Sequence, residues 1–172
     1  MKFLKSIPIL FLFLITLTPA DLVYAEGKDP KTYKVLANSN KKLSINNVKE
    51  YIAKGDSLIK NGEFDKAKEL FDKARNLAKQ LAGFYGDLNV SFRGLDARIP
   101  EEMSEKGKES LKIWAKSNAR LAAVYKRKKQ PEVAVPLLVE IIRLMSPTST
   151  EGKKAYKELN QLGFVDSPYR GL

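Results

Sequence analysis

From Val48 onward, apolar side chains return at intervals of three and four residues, the period of a helix with one buried face. The first run carries Val48, Tyr51, Ile52, Leu58 and Ile59. Asn47-Val-Lys-Glu50 has the form of a capping box, in which the Asn side chain accepts an orphan N–H and the Glu reaches back, so a helix is predicted to start at Asn47. Asn61-Gly62 stops it with left-handed turn chemistry. A second helix is predicted from Phe64, with Ala67, Leu70, Phe71, Ala74, Leu77, Ala78 and Leu81 on one face. Small residues (Gly55, Ala67, Ala74) stand where the two helices would touch, and Tyr51, Leu58, Phe64 and Phe71 are large enough to fill the gaps. This is the pattern of a helical hairpin built for stacking.

Residues 82–100 follow the rule less cleanly. Gly83, Gly86 and Gly94 weaken a helix, yet Phe84, Tyr85, Leu88, Phe92, Leu95 and Ile99 keep its rhythm. Either the second helix continues, with a break before Pro100, or a loop holds a short helix; a long loop this rich in large apolar residues is unusual in a compact domain. Pro100-Glu101-Glu102 suits a helix start, with acids against the positive end of the dipole. The next run carries Met103, Leu111, Trp114, Ala115, Leu121, Ala122 and Tyr125, and Lys126-Arg-Lys-Lys129 closes it. Gln130-Pro131 opens another, with Pro136 in its first two turns, where a missing N–H is best tolerated. Ser146-Pro147 ends that helix. Thr150 is predicted to cap a last one running to about Leu162, and Gly163 to stop it, with Phe164 folding back onto it.

The beginning of the chain has a different logic. Lys2 and Lys5 precede an apolar core from Ile7 to Leu17, and Val23-Tyr24-Ala25 offers a small-residue cleavage site. Residues 1–25 are therefore expected to be a signal peptide, too short to span a bilayer comfortably. Export to the periplasm or outside the cell is the corresponding expectation, or to the thylakoid lumen in a photosynthetic host. Residues 26–46 form a polar leader with a small Tyr33, Val35, Leu36 cluster; 47–164 are the helical domain; 165–172 are a short tail.

The composition narrows the chemistry. The chain has no histidine and no cysteine. Ser-His-Asp and Cys-His nucleophilic sites, disulfide scaffolds and the usual zinc, copper and haem ligand sets are therefore excluded. No catalytic residue, metal site or cofactor is expected. Removing the signal segment leaves 29 basic residues against 19 acidic, a formal +10. Because the acids are interspersed with the lysines, solvated helix faces account for that charge, although an acidic protein face or an anionic surface would also match it.

With these residues in place, the stretch Gly55–Ala74 resembles the tetratricopeptide repeat. Tyr51, Gly55 and Leu58 match the first helix of that family, Gly62 the turn, and Phe64, Ala67, Phe71 and Ala74 the second helix. Lys54 and Lys79 stand where the family usually has leucine and a helix-ending proline. A second match covers Asn118–Pro147, through Leu121, Ala122, Tyr125, Ala134 and Leu138, with Ile141 replacing a small residue. The intervening segment does not match. The resemblance implies an all-α stack of antiparallel helix hairpins with a C-terminal capping helix. It also implies a groove lined by first helices that holds a partner protein or peptide. Carried over by position, the groove residues are Lys49, Ile52, Asp56 and Lys60, then Lys116, Ala119, Ala123 and Arg127. A groove so basic suits an acidic or C-terminal carboxylate segment.

Other constellations read more simply. Glu101, Glu105 and Glu109 share one helical face, but Lys106, Lys108 and Lys112 alternate with them, which makes ion pairs the simpler account than paired-carboxylate catalysis. Trp114, the single tryptophan, is expected in the core, as are Phe84, Tyr85 and Phe92 on their helical spacing. Lys126–Lys129 falls where a helix ends and is expected to cap it. Two functions remain. One is an exported interaction scaffold or assembly adaptor; the other is a basic module on anionic lipid or wall polymer. Nucleic acid is not an expected partner, and oligomeric state is left open.

Overall fold

The structure, a computed structural model, describes residues 42–170. The predicted signal peptide and most of the polar leader lie outside the described residues. What is described is all-α: α1 (Ile45–Lys60), α2 (Phe64–Ser91), α3 (Arg98–Arg127), α4 (Pro131–Met145) and α5 (Thr150–Gln161), with no strand among the described residues. Each helix packs on the next, and α1 also touches α3. One continuous apolar core runs through them, from Val48 and Ile52 in α1 to Ala155 and Leu159 in α5. No helix among the described residues is long and apolar enough to cross a membrane.

The α1–α2 pair follows the size pattern of its sequence. Gly62 takes a positive φ of 79°, which lets the chain reverse within three residues. Gly55 is buried against the ring of Phe71, so closely that a Cβ there would stand 2.5 Å from the ring edge. The two helices are antiparallel, so each step back along α1 is a step forward along α2. Ile52 then faces the level of Ala74 and Val48 that of Ala78, and all four are buried.

Several boundaries differ from the sequence expectation, each for a local reason. α1 begins at Ile45, because Ser44 is its N-cap: the Ser44 Oγ accepts from the Asn47 N–H at 3.2 Å. Asn47 instead donates its side-chain amide to the Lys42 carbonyl at 3.0 Å, so the Asn47–Glu50 capping box does not form. The break expected just before Pro100 falls earlier, at Phe92–Ala97, and Pro100 sits inside the first turn of α3. There the Asp96 carboxylate accepts from the Arg98 N–H at 2.9 Å and starts the helix. The last helix is capped by Ser149, not by Thr150. The Ser149 Oγ accepts from the Gly152 N–H at 2.9 Å and donates to the Ser146 carbonyl at 2.8 Å. Ser149→Ala is therefore expected to lower stability by about 1 kcal/mol, the usual value of such a cap. The loss should appear in urea unfolding and in faster amide exchange at the start of α5. Thr150→Ala should change neither.

The C-terminal end follows the glycine rule. Gly163 has φ 70°, and the Phe164 N–H donates to the Leu159 carbonyl at 3.0 Å. Phe164 returns by its backbone only, since its ring stays exposed. The following residues close over α5 through the Asn160 amide to the Val165 carbonyl, 2.8 Å, and the Tyr156 hydroxyl to the Ser167 carbonyl, 2.9 Å.

Candidate functional site

Two polar features are organised by this packing. The first is internal. Glu140 is the mid-helix carboxylate of α4, whose other charged residues, Glu132 and Arg143, stand in its first and last turns, and it points back toward α2 and α3. Its Oε2 accepts from Arg75 Nη2 at 2.7 Å, from Asn118 Nδ2 at 2.8 Å and from Trp114 Nε1 at 3.3 Å. Arg75 also donates from Nε to Asn118 Oδ1 at 2.8 Å. Asn118 is fully buried, and every buried side-chain polar atom among the described residues has a partner. Burial alone pushes the Glu140 carboxyl up, but the hydrogen bonds from Arg75 and Asn118, the Arg75 charge and the Trp114 N–H outweigh it. The carboxyl is thus held below the ordinary glutamate range and stays charged. This network ties three helices together. It was missed in the sequence because its members lie far apart along the chain, although a lone carboxylate in mid-α4 was a readable signal.

The second feature is a groove of about 570 Å³. α3 forms its base, with α1 on one side and α5 on the other. Ala115, Ala119, Ala123, Leu138, Ile141 and Ala155 give it an apolar floor. Its flanks are basic: Lys49, Lys112, Lys116, Arg120, Lys126 and Lys154 outnumber Glu109, Glu151 and Glu158. Ion pairs stitch both sides. Lys49 meets Glu109 at 2.7 Å, Arg120 meets Asp56 at 2.7 Å, and Lys126 meets Glu158 at 2.5 Å. Among the described residues, no carboxylate pairs with Lys112, Lys116 or Lys154. Together they leave positive charge standing over the alanine floor.

The structure separates the residues assigned to the groove from sequence. Lys49, Lys116, Ala119 and Ala123 line it together. Asp56 lies beside it, bound to Arg120. Ile52 does not line it: the side chain is buried in the core against α2. Lys60 is exposed at the end of α1, away from the lining residues. Arg127 also lies outside, with its guanidinium over the Phe64 ring at 5.8 Å. The contribution of α5, through Glu151, Lys154, Ala155 and Glu158, was missed, because that helix was expected only to shield its neighbour.

The remaining candidates resolve into packing or surface. Trp114 is in the core as expected, with Lys79 over its ring at 5.7 Å. Phe84 is not core: it is 42% exposed, because α1 ends before reaching it. Of the three glutamates on one face, Glu109 pairs with Lys49 across helices. Lys126 and Lys128 are engaged by Glu158 and Asp65. No metal-holding cluster of acidic residues occurs among the described residues. Comparison with protein-family models, curated proteins and solved structures finds no match for this chain.

Proposed function

We propose that this protein is an exported, non-enzymatic interaction scaffold. In this reading the five helices form a tetratricopeptide-like succession, with α1–α2 and α3–α4 as hairpins and α5 as the cap. The contact between α1 and α3 supports it, since first helices of adjacent hairpins meet in such stacks. The groove then lies on the face of α1, α3 and α5 and receives a segment of a partner protein.

The single observation that carries this reading is the groove itself, apolar at its floor and carrying unpaired lysines at its flanks. Small floor residues let a partner backbone approach closely, and Lys112, Lys116 and Lys154 would meet carboxylates on it. The partner class is therefore an acidic protein segment, with a C-terminal carboxylate as one form of it. The reading as a module on anionic lipid or wall polymer loses its main support. Within Lys126–Lys129, Lys126 and Lys128 already hold carboxylates and Arg127 covers Phe64.

The test uses labelled Asp/Glu-rich peptides with free C-termini, titrated against the processed chain by fluorescence anisotropy. Binding that weakens with salt is expected, together with a loss of about tenfold or more in the Lys112→Glu/Lys116→Glu/Lys154→Glu variant. These positions are exposed, so the variant should keep its helical signal. Equal binding by that variant overturns the groove reading. Co-sedimentation with acidic vesicles, abolished by charge reversal at Lys126–Lys129, would establish the surface reading in its place.

A further inference from the structure

The apolar stripe on α2 is longer than the helix that covers it. Leu70, Ala74, Leu77, Leu81, Phe84 and Leu88 succeed one another at intervals of three and four residues and share one face. The first four lie on the part of α2 that α1 packs along and are buried or half-buried. The register set by Gly55 against Phe71 brings Lys42, where the described chain begins, level with Phe84. Beyond that level α2 continues to Ser91, and among the described residues α1 does not extend along it. Phe84 and Leu88 are each 42% exposed there, on a face whose N-terminal half is core.

We propose that the occupant of this face is the chain's own leader, through Tyr33, Val35 and Leu36. Three observations converge on it. The first is position: the leader enters at Lys42, level with Phe84. Leu88 lies about 6 Å further along the helix axis. Leu36 is six residues from Lys42, a reach of up to about 20 Å. The second is chemistry: within residues 26–41, Tyr33, Val35 and Leu36 are the cluster of large apolar side chains. The third is charge. The projecting arm, residues 83–108, carries Asp87, Asp96, Glu101, Glu102 and Glu105 against Arg93, Arg98, Lys106 and Lys108; Asp96 is held by Arg98 and Glu102 by Lys106, which leaves Asp87, Glu101 and Glu105 as the acids that face a leader. The leader carries Lys28, Lys31, Lys34 and Lys41 against Glu26 and Asp29. A basic segment is attracted to these three acids and repelled by the basic groove on α3. The short covalent link also gives the leader a high effective concentration at this face, which a second copy lacks.

The leader thus extends the covering role of α1 by a further turn or two of α2. This inference is independent of what the groove binds.

The absence of cysteine makes the test clean, because the only thiols are those introduced. In the processed chain, Leu36→Cys combined with Leu88→Cys is expected to form an intramolecular disulfide under mild oxidation at micromolar protein. It would be seen as a faster-running monomer on a non-reducing gel. Leu36→Cys combined with Lys60→Cys, at the far end of α1, should not. Disulfide-linked dimers as the main product of the first pair would assign the face to a second copy and overturn the proposal, as would crosslinking no faster than in the control pair. A second measurement needs no thiol. Leu36→Asp is expected to speed amide exchange in residues 84–91 about tenfold or more and to leave α4 unchanged. Unchanged exchange in 84–91 overturns the proposal on its own.

Discussion

Gly55→Ala is expected to destabilise the protein while Phe71 is present, and to stabilise it once Phe71 has been removed. In isolation the substitution favours folding, since alanine exceeds glycine by about 1 kcal/mol in a helix interior. Here the new methyl would stand 2.5 Å from one ring carbon of Phe71 and 2.8 Å from another. The ring is fully buried, so it cannot swing out into solvent to relieve the contact. Overpacking of that kind costs about 1–3 kcal/mol, which exceeds the propensity gain. Phe71→Ala alone should cost about 3–5 kcal/mol through lost burial and the cavity left behind. In the double variant the methyl occupies part of that cavity. It should therefore be more stable than Phe71→Ala alone, by about 1 kcal/mol. Urea unfolding of the four proteins checks the reversal of sign. An effect of Gly55→Ala that is the same with and without Phe71 would mean that the two helices do not interlock through this pair.

Removing the Glu140 carboxylate is expected to be the most damaging change to a polar group. Glu140→Ala leaves the Arg75 charge, the fully buried Asn118 amide and the Trp114 N–H without their shared acceptor. Breaking a buried pair costs about 3–5 kcal/mol, and the partial exposure of Arg75 reduces the expected loss to about 2–3. The same group makes stability depend on pH. Because its carboxyl is held lower in the folded protein than in the unfolded chain, its contribution is complete above about pH 4.3. It is lost as pH falls from there through the folded value, where the native state must take up a proton. Asp65 and Asp96 are also held low, by hydrogen bonds from Lys128 and Arg98, but both stand in water and add little. Glu140→Gln should therefore flatten the fall in stability between pH 5 and pH 3 relative to the parent, measured by urea unfolding at each pH. An unchanged slope would show that the acid sensitivity resides elsewhere.

Both predictions concern contacts between helices, and that is where sequence and structure part. The helices on either side of residues 82–100, their approximate ends, the Asn61-Gly62 reversal and the burial of Ala67, Phe71, Ala74 and Trp114 were legible from periodicity and size, whereas 82–100 stood open between helix and loop. These are local properties: a three-to-four spacing selects one face, and glycine or proline ends it. Of the residues assigned to the groove, Lys116, Ala119 and Ala123 line it together because a single helix, α3, carries all three on one face. Ile52 was assigned to the wrong side of α1. The spacing marks it as apolar, and only the position of α2 makes that side the core.

What the chain determined by itself is therefore its helices, their amphipathic faces and its lack of histidine and cysteine chemistry. The tertiary structure alone decided that Glu140 faces inward to Arg75 and Asn118, that α5 completes the basic groove, and that α1 stops short of Phe84 and Leu88. A helical pattern specifies which residues share a face. Which neighbour meets that face, and how far along it, depends on helix lengths and register, which emerge only when the helices pack.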